Sequence, residues 1–241
     1  MSSKIHSLVN EKSPIFTSHP LLLKGPAGLI EATHSTTTTP AFPHHIAIIC
    51  HPHPLYGGTM DNKVVYTIAR TLHELGMPTI RFNFRGVGRS KGQYDNGIGE
   101  TQDLTAVIQQ AQRLYPDYQL LLAGFSFGAY IALKAANTVQ PSQLITLAPP
   151  VNLFDFSQIQ PPNCPWLLIQ GDQDEIVPHQ DVVDWVNRLN NPPDMQILDG
   201  VGHFFHGHLN ALKNTLQNEL TSYMYNNQPL SSSQLPQPAV R

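Results

Sequence analysis

The feature that most limits what this chain can become is its alternation of short, mainly apolar runs with amphipathic segments. "HIAIIC", "TIRFNF", "YQLLLAG", "LITLA", "WLLIQG" and "MQILDG" read as strands, and "LLLKG" with "LIEATHS" reads as an opening hairpin. Between them, apolar residues recur at helical spacing: Val64, Val65, Ile68, Leu72 and Leu75; Leu104, Val107, Ile108, Ala111 and Leu114; Val182, Val183, Val186 and Leu189; Leu209, Leu212, Leu216 and Leu220. Apolar strands of this kind are buried on both faces, so the pattern predicts an α/β fold with a mostly parallel, twisted sheet and helices on both sides. With 241 residues, 41% of them hydrophobic, the chain suits one domain with a substantial core. That domain is expected over 19–225, after an N-terminal extension at 1–18 and before a polar, Pro-rich tail at 226–241 that reads as disordered.

Charge narrows the partners. A net charge of -3 with 13% charged residues gives no broad basic field, which argues against nucleic acid and anionic membrane surfaces and for a small neutral or weakly anionic ligand. Cys50 and Cys164 lie far apart and lack metal-site or redox spacing, as expected in a reducing compartment. The opening "MSSKIHSLVNEKSPIF" has no apolar core followed by a small-residue cleavage site, and no window approaches a membrane span. The expectation is a soluble, cytoplasmic protein. The sequence leaves its oligomeric state open.

In open α/β sheets ligands gather at the carboxyl ends of the strands. There, "LLLAGFSFGAYIALKAA" places Ser126 between Gly124 and Gly128, where an apolar run becomes a helical pattern. Two glycines allow a sharp strand-to-helix turn, with the serine at its apex and helix N–H groups turned toward the same space. A serine hydroxyl is a weak nucleophile, so this reading demands a histidine base and a carboxylate to orient it. "WLLIQGDQDEIVP" offers Asp172, Asp174 and Glu175 past one strand, and "MQILDGVGHFFHGH" offers His203 past the next. His206 and His208 follow where the final helix begins.

These residues, "GFSFG", "GDQDEIVP" and "GVGHFFHG", together with "FRGVGRS" and "HPHPLYGGTMDNKVV", resemble the α/β-hydrolase superfamily over residues 20 to 225. The resemblance is to small, lidless serine hydrolases related to dienelactone hydrolase, and implies a three-layer α/β-hydrolase fold without a large lid. It also implies that Ser126, His203 and Asp174 act as nucleophile, base and orienting acid, with Asp172 and Glu175 as fallback acids and no cofactor. The oxyanion donors it implies are the N–H of Phe127 and, from the loop after the third strand, that of Leu55; His53 and Tyr56 are the alternatives.

Two rival readings fall on neighbouring motifs. His51 and His53 have the spacing of a metal pair, but no carboxylate or cysteine accompanies them in the loop, and with 12 histidines in the chain chance pairs are common, so no metal is expected. His51 reads instead as a loop-bracing partner. Arg85 in "FRGVGRSKG" lacks the company of a phosphate loop and reads as shaping the site's edge, with attraction of an anionic group as its functional alternative. Only Pro149 to Pro165 separates the sixth and seventh strands, too little for a large lid. Val151, Leu153, Phe154 and Phe156 from that segment, with Leu55, Tyr56 and Phe204, would make an apolar wall for a modest acyl or aryl group. The expected function is hydrolysis of small acyl esters or thioesters. The alternatives are a small-peptide or lactone hydrolase with the same residues, or a binding or scaffold protein of the same fold.

Overall fold

The computed structural model describes residues 16–37 and 44–226. The expected extension therefore lies outside the described residues up to position 15, and the expected tail does so from 227.

Strands β1 (Ser18–Gly25), β2 (Gly28–Ser35), β3 (His45–Cys50), β4 (Thr79–Phe82), β5 (Gln119–Phe125), β6 (Gln143–Leu147), β7 (Trp166–Gly171) and β8 (Asp194–Leu198) form one sheet. Their order is β1-β2-β4-β3-β5-β6-β7-β8. β1 pairs with β2, and β2 with β4, in antiparallel fashion; every other pair is parallel. The helices are α1 (Lys63–Glu74), α2 (Ile98–Leu114), α3 (Phe127–Val139), α4 (His179–Val186) and α5 (Leu209–Asn226). The opening hairpin and the strand–helix alternation follow the apolar pattern of the sequence.

Period-two geometry divides each central strand between two cores. On β3, Ile46, Ile48 and Cys50 join a cluster with Leu104 and Val107 of α2, Ile131 of α3 and Trp185 of α4. Ala47 and Ile49 join the opposite cluster, with Val64, Ile68 and Leu72 of α1 and Leu212, Leu216 and Leu220 of α5. This is why β3 is apolar without alternation: both its faces are covered, each large side chain contributing roughly 1.5–3 kcal/mol of transfer free energy. The result is three layers, with α1 and α5 on one face and α2, α3 and α4 on the other.

The chain leaves β3 through α1 toward β4, and leaves the adjacent β5 through α3 toward β6. Connections diverge there in opposite directions, which opens a crevice between the loops that follow β3 and β5. Residues 148–165, between β6 and β7, hold turns and bends only, so among the described residues no helical lid covers this end. Among the described residues no helix is long and apolar enough to cross a membrane.

Candidate active site

Ser126 stands at the turn from β5 into α3 with φ 53° and ψ -119°, a left-handed backbone that a side-chain-bearing residue adopts only at a cost. Its N–H donates to Leu147 O at 2.8 Å, and its own carbonyl accepts from Ala129 and Tyr130. The flanking glycines are required by contact. A Cβ on Gly124 would lie 2.2 Å from Gly128 O, and one on Gly128 would lie 2.3 Å from Cys50 O. Removing both side chains lets β5, α3 and β3 close around the serine, whose hydroxyl lies at the crevice.

Two loops bring the partners. The turn after β7 carries Asp174, and the loop after β8 carries His203; both are buried. Ser126 Oγ lies 3.2 Å from His203 Nε2, and His203 Nδ1 donates to Asp174 Oδ2 at 2.9 Å. Asp174 is itself held by the N–H groups of Ile176 and Val177, at 3.0 and 2.7 Å, and by Gln170 Nε2 at 3.0 Å. The N–H of His203 donates to Glu175 Oε2 at 3.0 Å, and the Phe125 ring lies beside its imidazole at 5.2 Å between centroids. The side chain expected to orient the imidazole thus reaches it, whereas Asp172 accepts from Gly200 N–H instead. His206 is exposed, and His208 turns its Nδ1 to the carbonyl of His206. Gln170 and Glu175 gave no sequence signal for these supporting bonds, because each depends on how two loops meet.

The loop after β3 departs from expectation in one respect. Leu55, expected as an oxyanion donor, lies in a short 3-10 turn with its N–H directed to His53 Nδ1 at 3.2 Å and its side chain 66% exposed. The N–H of His53 carries no hydrogen bond among the described residues, and its ring lies 4.9 Å from that of Phe127, the residue after Ser126. Phe127 opens α3, so its N–H has no partner within the helix.

His51 braces this loop. Nδ1 donates to Pro52 O at 2.6 Å and Nε2 accepts from Phe84 N–H at 3.0 Å, which leaves neither nitrogen for a metal. Burial pushes its pKa from 6.5 down to about 4. The unfolded chain gains that proton near 6.5 and the folded one only near 4, so stability is complete above 6.5 and falls as pH drops toward 4. The slope is about 1.4 kcal/mol per pH unit, or about 3 kcal/mol across the window set by these values. In denaturant titrations at pH 7, 6 and 5, His51→Asn is expected to be less stable than the natural protein at pH 7 but to lose less on acidification. Parallel losses would assign the acid sensitivity to other groups.

Arg85 is closed to ligands. Its Nε and Nη2 clasp the two oxygens of buried Asp103 at 2.9 and 2.8 Å, and Nη1 lies 3.7 Å from Asp95. Its guanidinium is therefore not free to receive an anion.

The expected apolar wall divides. Phe154 reaches the site, with its ring 5.9 Å from His53 and 5.5 Å from Phe127. Phe156 is buried behind it against Tyr130 and Trp185. Phe204 stands edge-on to His203 at 5.0 Å and is 41% exposed; Tyr56 contacts His53 at 4.8 Å and is 87% exposed. Tyr94, which the sequence did not single out, lies 4.9 Å from the same imidazole. Beyond Phe154, a groove of about 530 Å³ runs between the β6–β7 segment and α4, past Asp155, Asp184 and Trp185.

A nucleophile elbow at the sheet's crevice, with an aspartate on the loop after β7 and a histidine on the loop after β8, is the arrangement of an α/β serine hydrolase. Residues 45–161 match the family model described as serine aminopeptidase, S33. An alpha-beta serine hydrolase homologue from Coxiella burnetii is 46% identical with a TM-score of 0.82, over 86% of this chain and 99% of that one. A lidless serine hydrolase from Xanthomonas campestris is 44% identical with a TM-score of 0.81, over 89% and 98%. An uncharacterized protein of Rickettsia prowazekii is 42% identical over 195 residues, which are 77% of this chain and 81% of that protein. The chain belongs to the α/β-hydrolase superfamily, among its serine hydrolases.

Proposed function

We propose that this protein hydrolyses small acyl esters or thioesters through an acyl-enzyme. The observation that supports it most is the unbroken hydrogen-bonded series from Ser126 Oγ through His203 to Asp174. Ser126 Oγ attacks the substrate carbonyl as His203 Nε2 takes its proton, and Asp174 favours the Nδ1–H tautomer that leaves Nε2 free to do so. The carbonyl oxygen gains negative charge, which the N–H of Phe127 and the N–H of His53 stabilise. Leu55 gives up that role because its N–H already serves His53 Nδ1. Collapse breaks the bond to the alcohol or thiol, which leaves with the proton from His203. Water then attacks the acyl-enzyme by the same route, releasing the acid and restoring Ser126.

The name of the matching family model favours a second reading, cleavage of aminoacyl amides. A fluorophosphonate probe, run beside p-nitrophenyl esters from acetyl to palmitoyl, acyl-CoA thioesters, lactones and aminoacyl p-nitroanilides, separates the possibilities. Labelling and ester turnover are expected, with kcat/KM rising by up to about fourfold per methylene and levelling near hexanoyl as the chain leaves the lidless crevice. Faster turnover of anilides than of esters would move the protein to the peptide reading. Absence of labelling and of all turnover would leave a binding protein of the same fold.

A further inference from the structure

His53 has more around it than its backbone role demands. Four aromatic rings surround its imidazole: Tyr56 at 4.8 Å, Tyr94 and Phe127 at 4.9 Å, and Phe154 at 5.9 Å between centroids. Tyr56 belongs to the same loop after β3, and the others come from the loop before α2, the start of α3 and the β6–β7 segment, so the fold has gathered three further elements onto one side chain. The cluster is not closed as a core would be. His53, Tyr94 and Phe154 are half-buried and Tyr56 is almost wholly exposed, with exposed Leu55 beside it. Aromatic surface left open beside a nucleophile marks a place where a ligand completes the packing.

The imidazole also has a defined polarity. Leu55 N–H donates to Nδ1, which fixes the proton on Nε2, and no hydrogen bond among the described residues uses that Nε2–H. Partial burial lowers the pKa of this imidazole, which keeps it an uncharged donor at neutral pH. Arg85, the cation that the sequence places at this edge, is occupied by Asp103 and unable to recruit a carboxylate.

Resting on the serine hydrolase reading above, we propose that His53 and its four surrounding rings form the specificity element of the site, taking an uncharged aromatic group of the ester and donating one hydrogen bond from Nε2 to an oxygen carried on that group. The aromatic group packs offset or edge-on against Tyr94 and Phe154, and a phenol, ether or carbonyl oxygen meets His53. The substrate class is thus an oxygenated aryl ester rather than a plain alkyl ester or an anionic one.

The test uses esters with no chromogenic ring, followed by titration of the released acid. In one arm, ethyl cyclohexylacetate, phenylacetate and 3- or 4-methoxyphenylacetate vary the acyl group, with a methylene that insulates the carbonyl from the ring oxygen. In the other, the matching cyclohexylmethyl, benzyl and methoxybenzyl acetates vary the alcohol. In at least one arm, kcat/KM is expected to rise about fivefold from cyclohexyl to phenyl through ring packing, and about fivefold again with a methoxy oxygen through one neutral hydrogen bond. His53→Phe, which keeps a ring but no donor, should bring the methoxy preference within that variant to near one while the phenyl preference persists. Tyr94→Ala should shrink the phenyl preference. Hydrolysis of all the esters with both preferences near one in both arms overturns this inference and leaves the hydrolase reading standing, and it can be read from the natural protein alone. Methoxy preference unchanged in His53→Phe also overturns it. Absence of any hydrolysis or fluorophosphonate labelling overturns the underlying reading as well.

Discussion

Replacing Ser126 with alanine is expected to lower turnover by about 10⁴- to 10⁶-fold and to abolish fluorophosphonate labelling, the loss that follows when a nucleophile acting in concert with its base is removed. The fold should not register the change. The backbone at 126 is held by its N–H to Leu147 O and by its carbonyl to Ala129 and Tyr130, none of which involves the hydroxyl. Alanine carries the same Cβ at φ 53° as serine, so the strain of the turn is neither added to nor relieved. Glycine would relieve it, so Ser126→Gly should be at least as stable as the natural protein and equally inactive. The measurement is ester hydrolysis and probe labelling beside a thermal melt. A Ser126→Ala protein that keeps more than a tenth of its activity would place the chemistry on another group.

How much of such a site is legible in a sequence depends on the range of the interactions that build it. The strands are legible because burial on both faces leaves a local record, as in the unbroken "HIAIIC" of β3. The elbow is legible because Gly124 and Gly128 answer contacts that recur whenever a strand turns so tightly into a helix. His203 and the three acids Asp172, Asp174 and Glu175 can be placed because they lie just past recognisable strands, and it is the resemblance to lidless serine hydrolases that singles out Asp174. What escapes is settled by contacts between distant segments. For Arg85 the sequence leaves attraction of an anion open as the alternative to shaping the site's edge, and α2 closes that alternative by folding back to set Asp103 against the guanidinium, 18 positions along the chain. Leu55 and His53 are two positions apart with competing claims, and only the 3-10 turn decides which N–H the His53 ring occupies. Tyr94 belongs to a polar loop with no periodicity, and the fold alone brings it to His53. Phe154 and Phe156 share one apolar stretch, yet one faces the site and the other packs on Trp185, because a stretch of turns carries no pattern that says which side chain faces in.

The second large effect is expected at Asp174. Its oxygens accept from four donors: the N–H groups of Ile176 and Val177, Gln170 Nε2 and His203 Nδ1. An asparagine can offer its single carbonyl oxygen to the two backbone N–H groups, which approach the same carboxylate oxygen, Oδ1. Its NH₂ then faces His203 Nδ1 and Gln170 Nε2, and donor meets donor. His203 escapes by moving its proton to Nε2, the tautomer that cannot take a proton from Ser126, so Asp174→Asn should lower kcat/KM by about 10⁴-fold with little change in fold. The neighbouring acids provide the contrast. Asp172 accepts the backbone N–H of Gly200 at 2.7 Å, a bond an asparagine can also make, so Asp172→Asn should cost less than about threefold. Glu175 holds the His203 loop through its backbone N–H and keeps an acceptor as glutamine, so Glu175→Gln should fall between the two and near the smaller effect. Measuring kcat/KM and the rate of fluorophosphonate labelling for the three variants on one ester decides among them. If Asp172→Asn proves the most damaging, the orienting carboxylate is not the one that the loops after β7 and β8 bring to His203.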